Sequence, residues 1–152
     1  MDSLYNIILE DIKKAMRSRD ESLLRVLRSL KSKIMEKEIS ERKGGNAVLS
    51  DDQVVEVLMK AAKQRKDSIH QFSEAGRNDL AESESYELKV IESYLPEMLS
   101  EEEIMEKALQ AIKETDATSS SDMGKVMGSL MPKVKGKADG ALVNRIVREL
   151  LG

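Results

Sequence analysis

Apolar residues recur every three or four positions along almost the whole chain, and that period admits one kind of fold. Leu4, Ile8, Ile12 and Ala15 keep it, as do Leu23, Leu27, Leu30 and Ile34, and again Val54, Leu58, Ala61, Ile69 and Phe72. Such spacing collects apolar side chains on one face of an α-helix, whereas a half-buried strand alternates in twos. Composition agrees. Only four of the 152 residues are aromatic (Tyr5, Phe72, Tyr86 and Tyr94), and strands draw heavily on aromatic and β-branched residues. A hydrophobic fraction of 40% is enough to fill a core. The predicted class is all-α.

Polar residues punctuate these stretches. Asp2 or Ser3 caps a first helix and Asp20 a second. Lys43-Gly44-Gly45-Asn46 reads as a loop. Ser50-Asp51-Asp52-Gln53 and Ser100-Glu101-Glu102-Glu103 are capping boxes, in which a serine oxygen and the side chain three residues on satisfy free backbone N–H groups. Gly76 ends the third helix, because glycine accepts the left-handed conformation past a helix end. Asn78 or Asp79 starts a fourth helix with Leu80, Leu88, Ile91 and Leu95, and Pro96 stops it. Beyond Pro96 a helix carries Ile104, Ala108, Ala111 and Ile112, and residues 115–121 form a polar linker. Asp122 or a nearby serine opens a helix through Met123, Val126, Met127, Leu130 and Met131, ended by Pro132. A basic loop over 133–140 leads to a last helix capped by Asp139, with Leu142, Val143, Ile146 and Leu150. The expected organisation is a four-helix N-terminal domain, 1–96, and a small three-helix domain, 97–152.

Several chemistries are excluded. Zero cysteines rule out disulfides, thiolate metal sites and cysteine nucleophiles. A lone His70 cannot build a multi-histidine zinc site and reads as a half-buried structural residue. No metal or cofactor is expected. The longest uncharged runs, 44–50 and 126–132 among them, are seven residues, against the roughly 20 apolar residues of a membrane span. No membrane partner is predicted. The start Met1-Asp2-Ser3-Leu4 lacks the basic opening of a secretory signal, so a cytoplasmic setting is expected. Ser119-Ser120-Ser121 lacks the flanking glycines of an amidase centre and reads as linker and cap. Glu101, Glu102 and Glu103 are explained by the helix dipole. Neither a phosphate-binding glycine loop nor a dinucleotide fingerprint is present, and no catalytic residue is assigned.

Charge is uneven under a net −3. Residues 74–103 hold 10 acidic and 2 basic side chains, whereas residues 123–152 hold 6 basic and 2 acidic. A polyanion responds to such local faces, because salt screens charge within about 8 Å. Gly124 and Gly128 lie four apart on one helical face, beside a stripe of Met123, Met127 and Met131 that reads as core filler. Glycine inside a helix costs about 1 kcal/mol relative to alanine. Two on one face fit either tight packing on a neighbouring helix or close approach of a nucleic-acid backbone. Lys133-Val134-Lys135-Gly136-Lys137 is either a solvated loop or, with Lys125, a phosphate-binding one. Asn144, beside Arg145, contacts a base or braces the preceding loop, and bracing is the simpler reading. A secondary basic patch is Lys60, Lys63, Arg65 and Lys66, with Arg65 pointing elsewhere and Asp67 and the acidic residues 82–92 as candidate partners.

These motifs together resemble the YqeY family. They are Lys63-Gln64-Arg65-Lys66-Asp67-Ser68, Phe72, Ala75-Gly76-Arg77 with Asp79-Leu80, Tyr94-Leu95-Pro96, Met123-Gly124-Lys125-Val126-Met127-Gly128, Lys135-Gly136-Lys137-Ala138-Asp139-Gly140 and Val143-Asn144. The resemblance implies a helical N-terminal domain and a C-terminal domain similar to the tail of GatB, a subunit of the glutamine-dependent aminoacyl-tRNA amidotransferase. Related domains are appended to glutaminyl-tRNA synthetases. It implies a tRNA-contacting role for Gly124, Lys125, Gly128, Lys135, Gly136, Lys137, Asp139 and Asn144, to which charge adds Lys133 and Arg145. The expected function is a tRNA-binding accessory protein, with aminoacyl-tRNA synthetase or amidotransferase subunits as further partners. Two alternatives stand beside it: a subunit with carbon–nitrogen ligase activity only within an assembly, and a helical protein–protein adaptor. The isolated chain is not expected to transfer an amide.

Overall fold

The computed structural model describes residues 3–41 and 48–152, so the sequence-predicted loop at Lys43-Gly44-Gly45-Asn46 lies outside the described residues. Among the described residues there are seven α-helices and no strand. They are α1 (Leu4–Ser18), α2 (Glu21–Glu41), α3 (Asp51–Glu74), α4 (Asn78–Glu92), α5 (Glu101–Glu114), α6 (Met123–Val134) and α7 (Gly140–Leu151), with a 3-10 turn at Ser120–Asp122. The chain divides into two compact units, Met1–Leu95 and Pro96–Gly152.

In the first unit the caps form as short-range hydrogen bonds. Ser3 Oγ accepts from the Asn6 N–H at 3.2 Å and Asp20 Oδ1 from the Leu23 N–H at 3.1 Å. Both halves of the Ser50/Gln53 box are present. Asp51, at the start of α3, also accepts from the Leu4 N–H at 2.9 Å and so joins the starts of α1 and α3. The core is the predicted stripe: Ile8, Leu27, Leu30, Ile34, Val54 and Leu58 are fully buried. The C-terminal half of α3 departs from expectation. Ile69 and Phe72 are only half-buried, and His70 is exposed rather than half-buried, because α3 there packs chiefly on α4 alone. The Tyr94 hydroxyl donates to Asp11 Oδ2 at 2.6 Å, tying the segment after α4 to α1. Burial, then that carboxylate, push the Tyr94 phenol far above its ordinary range.

Three helix ends use one device. After α3, Gly76 sits at φ 72°, the Arg77 N–H donates to Phe72 O at 2.8 Å and the Gly76 N–H to Ser73 O at 3.1 Å. This pair of bonds around a left-handed residue is the Schellman motif. Arg19 (φ 57°) and Asp116 (φ 53°) hold the same position after α1 and α5, with matching bonds from Asp20 to Ala15 and from Ala117 to Ile112. Neither has glycine's freedom, so each carries conformational strain.

In the second unit α5, α6 and α7 enclose Ile104, Ala108, Ala111, Val126, Leu130, Val134, Val143 and Val147, all fully buried. The small Ala108 and Ala111 let α5 come close to its neighbours. Met123, Met127 and Met131 are half-buried against this core, as filler. Pro132 does not end α6; the helix runs through it to Val134 and closes with the Lys135 N–H on Met131 O at 2.9 Å. Proline here removes one donor, the one that would meet the Gly128 carbonyl, and so close to the helix end the remaining bonds suffice. Lys133 therefore belongs to the last turn of α6 and not to a loop.

Replacing Gly76 by alanine is expected to destabilise the first unit by about 1–2 kcal/mol, and Arg19→Gly to stabilise it by about 0.5–1 kcal/mol. Urea unfolding followed by circular dichroism measures both. Equal midpoints for the two variants would contradict the left-handed assignments.

Candidate nucleic-acid interface

The face of α6 opposite Val126, Leu130 and Val134 is open. Gly124, Lys125 and Gly128 are exposed, and a Cβ built on either glycine meets no atom within 4 Å. Within the second unit the tight-packing reading of these glycines fails: among the described residues no neighbouring helix of that unit covers them. They weaken α6 without a compensating internal contact. The helix start is fixed independently. Asp122 Oδ2 accepts from the Thr118 N–H at 2.9 Å and the Ser119 N–H at 3.4 Å. The Thr118 bond first holds the Asp122 carboxyl below the usual carboxylate range. Ser119 and Ser121, with hydroxyls 2.7 Å apart, belong to this 3-10 turn and cap.

Between α6 and α7 the chain makes a type II turn. Lys135 lies at φ −57°, ψ 128°, Gly136 at φ 78°, and the Lys137 N–H donates to Val134 O at 2.9 Å. A positive φ at the third position of such a turn calls for glycine. Gly136 is thus explained by the turn itself, without an approaching ligand. The turn is anchored, since the Lys137 carbonyl accepts from the Leu99 N–H at 2.8 Å. Nothing in the residue types around Leu99 signals that bond. Lys135 and Lys137 are exposed, and neither has an ion pair among the described residues. Asp139 Oδ1 accepts from the Ala141 N–H at 3.3 Å and caps α7.

The remaining predicted residues have internal partners. Lys125 Nζ donates to Thr115 O at 3.3 Å, and Lys133 Nζ meets Glu114 at 3.1 Å. Both reach the C-terminal end of α5, where free carbonyls attract cations. Arg145 reaches Glu101 at 3.4 Å and Glu149 at 3.8 Å. Exposed pairs of this kind contribute only about 0–1 kcal/mol, so an incoming phosphate can compete for them. Asn144 does not brace the preceding loop; its Oδ1 accepts from Arg148 at 2.9 Å, one turn along α7.

In the first unit the secondary patch loses a member. Arg65 is bound by Glu84 at 3.0 Å and Glu87 at 2.9 Å, both on α4, and is about three-quarters buried. Lys60, Lys63 and Lys66 are exposed on α3. A groove of about 350 Å³ beside Lys60, between α2 and α3, also carries Lys33 and Lys37, but Glu36 lines it and Lys37 meets Glu41 at 2.9 Å. Its lining of three lysines and one glutamate stays net positive, only in part offset by the Lys37–Glu41 pair. Among the described residues no group of three or more His, Asp or Glu side chains could hold a metal, and no helix is long and apolar enough to cross a membrane.

The family described as Yqey-like protein matches residues 5–151. The chain belongs to the YqeY family. Its relatives include "Altered inheritance of mitochondria protein 41, mitochondrial" of Pyrenophora tritici-repentis (strain Pt-1C-BFP), 31% identical over 148 residues, covering 93% of this chain and 77% of that protein. The protein of the same name in Clavispora lusitaniae (strain ATCC 42720) is 37% identical over 120 residues, 76% of this chain and 68% of its own. That of Saccharomyces cerevisiae (strain YJM789) is 29% identical over 153 residues, 95% and 81% respectively. The word mitochondrial belongs to the names of those fungal proteins.

With open space above both glycines of α6, Gly124→Ala and Gly128→Ala are each expected to stabilise the second unit by about 1 kcal/mol. Thermal unfolding measures this. Destabilisation by either change would mean that something covers the face.

Proposed function

We propose that this YqeY-family chain is a tRNA-binding accessory protein that grips RNA phosphates through the α6–α7 turn. The observation carrying the reading is that Lys135 and Lys137 are held exposed on an anchored turn and have no ion pair among the described residues. Lysine supplies a compact charge for a phosphate, and a pre-set turn spends little ordering entropy on binding. Lys125, Lys133 and Arg145 flank the turn with weak, exchangeable pairs. The open glycine face of α6 lets a ligand backbone come near. The helices after Pro96 act as a domain with a basic half, residues 123–152, and an acidic half led by Glu101, Glu102 and Glu103. That polarity orients a polyanion toward the turn. The likeness of this region to the GatB tail supports tRNA as the RNA. In an assembly with an aminoacyl-tRNA synthetase or amidotransferase subunit, the chain contributes RNA affinity and the partner the chemistry. A cytoplasmic setting is part of this reading.

Binding of tRNA measured across a salt series tests this. Each phosphate contact contributes roughly −0.7 to −0.9 to the slope of log affinity against log salt. Changing Lys133, Lys135 and Lys137 together to alanine should flatten the slope by about 2 and leave the fold intact, since exposed lysines contribute little stability. The same treatment of Lys60, Lys63 and Lys66 should do less. Equal binding by the loop variant and the parent at every salt concentration would reject the proposed interface.

A further inference from the structure

The α6–α7 surface offers charge and open backbone but no aromatic ring on which a base can stack. All four aromatic residues, Tyr5, Phe72, Tyr86 and Tyr94, precede Pro96, so residues 97–152 contain none. Arginine guanidinium planes are the other common stacking surface, and this unit has two: Arg145, whose exposed pairs with Glu101 and Glu149 leave it free to meet a phosphate, and Arg148, which donates to Asn144 one turn back on its own helix. In the first unit the exposed aromatic is Tyr86, and its phenol is pushed up by burial and then by the charge of Asp20. An acidic neighbour discourages a phosphate chain from lying there.

Proteins that hold single strands combine a basic groove with aromatic side chains, and each stacked base contributes about a factor of ten in affinity. In double-helical RNA the bases already stack on one another, and what faces outward is sugar and phosphate. Point charges on a fixed turn, beside a helix face stripped of side chains at Gly124 and Gly128, match such a ligand. They do not match an unstacked strand.

We infer that the α6–α7 surface takes a double-helical segment of RNA by its sugar–phosphate exterior and selects against unstructured single strands. This rests on the RNA reading above and specifies the form of RNA recognised. The test uses the full chain with three probes at one salt concentration: a folded tRNA, a blunt RNA duplex, and one strand of that duplex alone. The duplex should bind about tenfold or more tighter than its single strand, since its charge density is higher and no stacking compensates the strand. Lys135→Ala combined with Lys137→Ala should remove most of that advantage, while Tyr86→Ala should leave all three affinities unchanged. A single strand that binds as tightly as the duplex overturns the inference alone, as does a loss of binding on Tyr86→Ala. If neither tRNA nor duplex binds, the RNA reading falls and takes the inference with it.

Discussion

The left-handed backbone of Gly136 holds the C-terminal unit in its working form. A side chain at that φ costs about 1–2 kcal/mol, and without the turn α7 could not follow α6 so directly. Lys137 is bonded on both sides of its peptide, by its N–H to Val134 and by its carbonyl to Leu99 just before α5. All three helices of the unit therefore meet at this turn. The lysines it presents are fixed in place by backbone bonds and not by their own side chains, which leaves the ammonium groups available to solvent or a ligand.

The neighbouring helix breaks a local rule. Its inner face is packed by Val126, Leu130 and Val134, yet its outer face carries two glycines where almost any other residue would favour the helix more. Pro132 further removes the donor for the Gly128 carbonyl. Sequences depart from local consistency most often where function demands it. Among the described residues of its unit nothing meets this outward face, which lowers helix stability and is the face the proposed RNA contact uses.

Much of the fold was legible because its signals are short-range. Periodicity, the Ser50 and Ser100 capping boxes and the Gly76 stop each depend on residues within a few positions. The two other Schellman ends were not legible, because Arg19 and Asp116 occupy a conformation that their residue types disfavour. Pro132 misled for the opposite reason: a strong local signal was outweighed where only one helical bond was at stake. The site was legible in its charges but not in their partners. Lys125, Lys133 and Arg145 find groups 10, 19 and 44 residues away, and no local pattern announces such pairs, whereas Arg65 meets Glu84 and Glu87 within the acidic stretch 82–92 that its sequence offered as partners. The partner of Asn144, Arg148, lies only one turn away and could have been read from helical spacing.

The central claim is that one surface, α6 and the turn after it, meets RNA. Amide chemical shifts of the isotope-labelled full chain, followed through a titration with tRNA, test this most directly. Glycine amides fall in a distinct spectral region, so Gly124, Gly128 and Gly136 report clearly. The account predicts shifts concentrated at those three glycines and at Lys135, Lys137 and Asn144, with α3 and α4 nearly silent. Shifts concentrated instead around Lys60, Lys63 and Lys66, with the α6–α7 turn unmoved, would contradict it.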